Sequence, residues 1–184
     1  VYLFVAYGIY RDHNRCDNDH QVILCYDTKN WDTYAKEMNQ RSMHVCGPDA
    51  PDHKFFVYTG NTTWGVQNLE YDRHTSAFFM AVYNGTKPEF PNYGLYAIDA
   101  SVAPKMQKLC GLDEDGETLT LKPIGKLDEA TGVYGWHFPH GSTGMFSYGD
   151  GRWLISENRI TTEGQCGYIF HYLWNEKDPF ITIG

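Results

Sequence analysis

Apolar triplets return along this chain at a fixed interval: Phe4-Val5-Ala6, Phe79-Met80-Ala81 and Leu154-Ile155-Ser156 stand 75 residues apart. Such internal self-similarity decides a fold before local propensity does. Ahead of the triplets, Val57-Tyr58 followed by Gly65 returns as Val133-Tyr134 followed by Gly141 at an offset of 76, which also carries Leu69 onto Met145. A second apolar run follows each triplet, at residues 22–27 (VILCYD), 94–99 (GLYAID) and 168–173 (YIFHYL), about 72 and 74 residues apart. Turn residues sit where hairpins need them, at 72–76 before the second triplet and Gly149-Asp150-Gly151 before the third. A last strand is predicted for each unit, at 54–58, 118–124 and 180–183. The first unit lacks its opening strand, because the sequence begins at what aligns with the second.

Four short antiparallel strands in tandem, plainest in the string from Gly65 to Tyr83 and in GLYAID, resemble the blades of β-propeller repeat proteins as a general class, with no particular family matched. The resemblance implies an all-β fold, a propeller-like array of four-stranded antiparallel blades of about 75 residues each, the first blade incomplete. It spans residues 1–184 as one domain or fragment, with repeats at about 1–60 (partial), 61–132 and 133–184. An open β-sandwich is the alternative. The unit is longer than common blades of about 40–50 residues, so sizeable loops are expected at 29–51 and 101–117. Propellers close with about four to eight blades, which makes the chain a piece of a longer protein by expectation, with further blades coming from the same or another chain. Residues 147–153 (SYGDGRW) are similar to the Asp-box turn of sialidase-like propellers, but the Asp is displaced and the Thr missing. They read as a hairpin turn.

Composition supports strands: 16% of residues are aromatic, with fourteen Tyr and ten Phe, and rings suit pleated, half-buried surfaces. A net charge of −8 and a pI near 5.4 argue against nucleic acid as a partner, which needs clustered Lys and Arg to displace counterions. No run approaches eighteen apolar residues, so no membrane-spanning helix is expected. The five cysteines are odd in number and form no C-x-x-C pair, so one at least is free or pairs outside the chain. Two N-x-[ST] triplets, at Asn61 and Asn84, and a Tyr-, Trp- and Asn-rich, Lys-poor composition lean toward an extracytoplasmic or secreted protein. No cofactor is implied.

In a propeller the loops leading into each blade's first strand share a face with those joining its second and third strands. The leading loops are residues 59–65 (TGNTTWG) and 135–141 (GWHFPHG). The repeat sets Trp64 against His140 and Asn61 against His137. Asn61, Trp64, Trp136, His137 and His140 are therefore the candidate ligand-binding residues, rings for stacking on a sugar or ring face and imidazoles for hydrogen bonds or proton transfer. Packing between blades is the competing role for the same Trp and His side chains. The loop 11–20 (RDHNRCDNDH) offers Asp12, Asp17 and Asp19 as metal-ligand candidates, with His13 and His20 beside them. It fails the EF-hand spacing, with Cys16 where an oxygen belongs and no central Gly, and reads first as a solvated polar loop rather than a metal site.

Glycoside cleavage needs two carboxylates about 5–10 Å apart, and Asp12, Asp19, Glu89 and Glu157 are the carboxylates on the expected face. Glu157 leads, because it follows the apolar run 153–155 at a strand end, where burial would raise its pKa toward general-acid use. With His137 and His140 it completes the catalytic candidates. No G-x-S-x-G, H-E-x-x-H or phosphate loop occurs. The first functional expectation is a non-catalytic ligand-binding propeller module for a small polar molecule, carbohydrate foremost. A carbohydrate-active hydrolase or lyase with a carboxylate pair at the propeller face is the second, and a protein-interaction scaffold the third, since one architecture hosts all three.

Overall fold

The computed structural model describes residues 1–7, 19–37, 39–41, 43, 46–60 and 64–183. Within them the chain forms strands β1 (Tyr2–Tyr7), β2 (His20–Asp27), β3 (His53–Tyr58), β4 (Val66–Asp72), β5 (Ala77–Val82), β6 (Leu95–Asp99) and β7 (Lys105–Lys108). It continues as β8 (Asp115–Leu119), β9 (Lys126–Asp128), β10 (Val133–Gly135), β11 (Met145–Ser147), β12 (Arg152–Thr161), β13 (Gly164–Trp174) and β14 (Phe180–Thr182). A 3-10 turn at Thr28–Tyr34 is the only helical element among the described residues, and no helix is long and apolar enough to cross a membrane. The fold is all-β, as the aromatic and β-branched composition leads one to expect. Its strands form four sheets, ordered β1-β2-β3-β8-β7, β4-β5-β6, β11-β12-β13-β14 and the ribbon β10-β9, none of them closed.

The three apolar triplets lie on β1, β5 and β12, and each strand pairs antiparallel with the one that follows it in the chain. Their register is common: Ala6 stands opposite Ile23, Ala81 opposite Leu95 and Ser156 opposite Ile169. A one-residue slip would turn every side chain to the other face, so this shared register fixes which positions look in which direction. The last strands at 54–58 and 180–183 are found as β3 and β14, paired with β2 and β13.

The run AFFMAV in β5 has no polar residue because both its faces are buried. Ala77, Phe79 and Ala81 enter one cluster, with Leu95 and Ala97 of β6, Trp153 and Ile155 of β12, Tyr172 of β13 and Phe180 of β14. Met80 and Val82 enter the other, with Ile23 and Cys25 of β2, Phe55 and Val57 of β3, and Tyr96 and Ile98 of β6. The sheet β4-β5-β6 is thus sandwiched between its two neighbours. Complete burial of each large apolar side chain contributes about 1.5–3 kcal/mol, so these two interfaces hold the array together. Cys25, Cys46, Cys110 and Cys166 are free thiols.

Two expectations about the second unit are corrected. The predicted strand 118–124 is divided between sheets: β8 runs parallel to β3, and only the stretch after it meets β6, where Asp99 N–H donates to the Thr120 carbonyl and Lys122 N–H to that of Ala97. The outer edge of β3 was free to accept a strand, and the His53 Nδ1 to Glu117 Oε2 contact at 3.1 Å pins β8 there. The expected loop 101–117 accordingly contains the strand β7 and much of β8, paired as a hairpin.

Candidate functional site

Loops from all three strand arrays meet on one side. The leading glycines Gly65 and Gly141, matched by the repeat, both take left-handed backbone, with φ of 70° and 93°, ahead of β4 and β11. Asn68 of β4 donates from Nδ2 to the Gly141 carbonyl at 2.6 Å, tying the two loop ends to each other. Between the first two arrays, Asp19 is buried, its carbonyl accepts the Thr59 and Gly60 N–H groups, and its carboxylate pairs with Lys87 Nζ at 2.5 Å. Lys87 also lies 5.7 Å from the centre of the Phe90 ring.

On the other side of β6, the Gly94 and Leu95 N–H groups donate to the Trp136 carbonyl, which holds the loop 135–141 against the middle sheet. His137 is exposed and stands edge-on to the Tyr93 ring, with centroids 4.9 Å apart. His140 is half-buried, packed edge-on to Phe138 at 5.5 Å, and its Nε2 lies 3.3 Å from Glu157 Oε1. The Tyr172 hydroxyl donates to the same Oε1 at 2.9 Å, while Arg159 donates from Nη2 to Oε2 at 2.9 Å. Glu157 and Arg159 share a face of β12 because strand side chains alternate with a period of two. The guanidinium lies over the Tyr168 and Phe170 rings at 4.7 and 5.4 Å, which sets its direction.

This network reverses the expectation for Glu157. Its side chain is only 13% exposed, yet its carboxyl is held below the usual range, first by the Arg159 hydrogen bond, with Tyr172 and His140 adding to it against the opposing effect of burial. Two hydrogen-bond donors and the neighbouring imidazole favour the charged form more than desolvation penalises it. The shift runs opposite to the one burial alone predicts, and the carboxylate is placed as an acceptor for Tyr172 and Arg159. A stability consequence follows. A carboxyl with a depressed folded pKa stabilises the fold above the ordinary value of 4.5 and loses that contribution as pH falls through the depressed value. Denaturation midpoints measured down through this acid range should decline less steeply in Glu157→Gln than in the native chain, and identical slopes would refute the network's role.

The other expected residues scatter. Trp136 is buried at 4% exposure, lies stacked with Phe79 and edge-on to Trp174, and donates from Nε1 to the Glu176 carbonyl at 3.1 Å. It packs in the core because the loop's first residues are drawn against β6. Trp64 is half-buried. Asn61, Asp12 and Asp17 lie outside the described residues. Asp19, the remaining metal-ligand candidate, faces Lys87, and no group of three His, Cys, Asp or Glu side chains converges among the described residues. Tyr172 was not singled out from sequence; it stands opposite Trp153, four residues along β13 from Tyr168, the partner of Glu157, and so on the same face of the hairpin. Comparison with protein-family models, with curated proteins and with solved structures finds no match.

Proposed function

We propose that the three strand arrays are blades of a β-propeller whose remaining blades come from the same or another chain, and that their loop face binds a small polar ligand, carbohydrate foremost, without catalysis. The observation that carries the ligand reading is the Glu157 network: a desolvated carboxylate fixed by Tyr172, Arg159 and His140, with the exposed ring of His137 on the same loop as His140. Such a site offers an anchored acceptor, cationic and imidazole donors and aromatic edges, the mixture that hydroxyl-rich ligands need. The propeller reading is supported by the common register of the three hairpins and by a middle sheet packed on both faces. A non-catalytic role is favoured over hydrolysis because Glu157 and Asp19 are both committed to cations. An extracytoplasmic setting accords with Asn84 being exposed within its N-x-[ST] triplet.

Neutral and acidic oligosaccharides titrated against the protein should show saturable binding with no change in reducing ends. His137→Ala, which removes an exposed ring, should weaken the best ligand about tenfold, equivalent to about 1.4 kcal/mol. Loss of binding confined to variants on distant loops, or turnover of any glycan, would overturn this reading.

A further inference from the structure

The two end sheets turn outward the positions that the middle sheet buries. In the shared register Val5 corresponds to Met80, Leu24 to Tyr96 and Tyr26 to Ile98, and those three middle-sheet residues are at most 1% exposed against the first array. At the first array's outer face no sheet among the described residues covers them: Leu3, Val5 and Tyr7 of β1 are exposed, and the half-buried Leu24 lies beside Val5. Among the described residues, the 3-10 turn and the stretch 46–48 border this face at Leu3 and Tyr26, where Trp31 meets the Tyr26 ring at 6.3 Å.

The opposite end shows the complementary half of the same pattern. Leu154 corresponds to Phe79, Ile169 to Leu95 and His171 to Ala97, positions that in the middle sheet are buried against the third array. On the third array they look outward, in a patch where Phe146, Ile169, Leu173, Ile181 and Ile183 are exposed. Contiguous exposed apolar residues of this extent mark contact surfaces. What fits each face is present in the molecule itself, since the middle sheet shows each kind of face covered by the other kind.

We propose that the outer face of β11-β12-β13-β14 docks on the outer face of β1-β2-β3 of a second copy of this chain, head to tail. The contact repeats between copies the interface that already joins neighbouring arrays within one. It is heterologous, so each copy keeps one face open until a ring closes or a filament grows. Two copies of residues 1–184 supply enough arrays for a common ring of the roughly four to eight blades of closed propellers. The inference rests on the blade reading above and not on the ligand reading.

Mass measured by light scattering across a concentration series tests it. The native chain should exceed the monomer mass, and Val5→Asp and Ile169→Asp, both at exposed positions, should each be monomeric with unchanged circular dichroism. Mixed in equal amounts, the two variants should form a dimer, because each retains the face that the other has lost. A native monomer at every concentration, an Ile169→Asp protein that still assembles, or a mixture that stays monomeric would each overturn the proposal. Should either substitution disturb the circular dichroism, Leu3→Lys and Leu173→Lys replace the pair with the same expected outcomes. A monomer that still binds an oligosaccharide would overturn the docking while leaving the ligand reading intact, and an assembling chain that binds none would do the reverse.

Discussion

Phe79→Ala is expected to cost about 3–5 kcal/mol of folding stability, the range for removing a buried aromatic ring and leaving a cavity. Phe79 is fully buried, and four aromatic neighbours surround it: Trp174 at 4.8 Å, Trp153 at 5.0 Å, Phe180 at 6.0 Å and Trp136 at 6.4 Å. These neighbours come from β12, β13, β14 and the loop after β10, so the ring joins the middle and third arrays rather than stiffening one strand. Large rings hemmed in by other rings relax poorly into a void, which puts the loss toward the upper end. Against a total of about 5–15 kcal/mol for a domain, it removes between about a third and nearly all of the stability. Chemical denaturation followed by tryptophan fluorescence measures it, since three tryptophans line the cavity. Met106→Ala, at a position 67% exposed on β7, should stay within about 0.5 kcal/mol. A Phe79→Ala midpoint equal to that of the native chain would mean that the two arrays do not depend on this contact.

The strand pairs were legible in the sequence because repetition reports tertiary equivalence directly. Phe79-Met80-Ala81 is ambiguous by itself, as a short apolar run can be a strand or a buried helical turn. Its recurrence at Phe4 and Leu154, each time ahead of a second run, removes the ambiguity, and the structure pairs all three in one register. What the repeat could not foretell was a departure from itself. The segment after Lys105 folds back as β7 and β8 on the free edge of β3, and strand addition to an open edge depends on a neighbour distant in sequence.

Legibility at the candidate site was limited in a different way. The sequence placed Glu157 at a strand end beside apolar residues, and burial taken alone pointed its pKa upward. The opposing groups come from three places: the donors Arg159 two residues along and Tyr172 across the hairpin, and the His140 imidazole from the preceding loop. Only the first lies close enough in sequence to be read there, through the two-residue period of a strand. The turn at 72–76 was readable because its chemistry is local, and the structure adds one of the same kind that was not singled out from the sequence. Asp72 and Thr75 recur in kind as Asp128 and Thr131, and in both turns the carboxylate accepts the backbone and hydroxyl hydrogens of the Thr.

Asp72→Ala should lower stability by at least about 3 kcal/mol, since hydrogen bonds to a charged group are each worth about 1.5–3 kcal/mol and this carboxylate accepts three. Its Oδ2 receives the Thr75 N–H at 2.9 Å and the Thr75 hydroxyl at 2.7 Å, closing the turn between β4 and β5, and its Oδ1 receives the Ser147 hydroxyl at 2.5 Å from β11. Asp72 is fully buried, so water cannot replace what alanine removes. Asp72→Asn separates shape from charge: it keeps an acceptor for Thr75 and should retain more than half of the loss. It should also act on Glu70, whose carboxyl is raised first by burial and further by the Asp72 charge, against the lowering effect of the Ser147 N–H. A carboxyl with a raised folded pKa favours the fold most below the ordinary value of 4.5, and that contribution fades as pH climbs through the raised value. Removing the neighbouring charge should shrink this fade, so stability plotted against pH above about 4.5 should fall less in Asp72→Asn than in the native chain. An unchanged slope would mean that the two carboxylates do not sense each other, and a harmless Asp72→Ala would mean that β4 and β11 are held together without them.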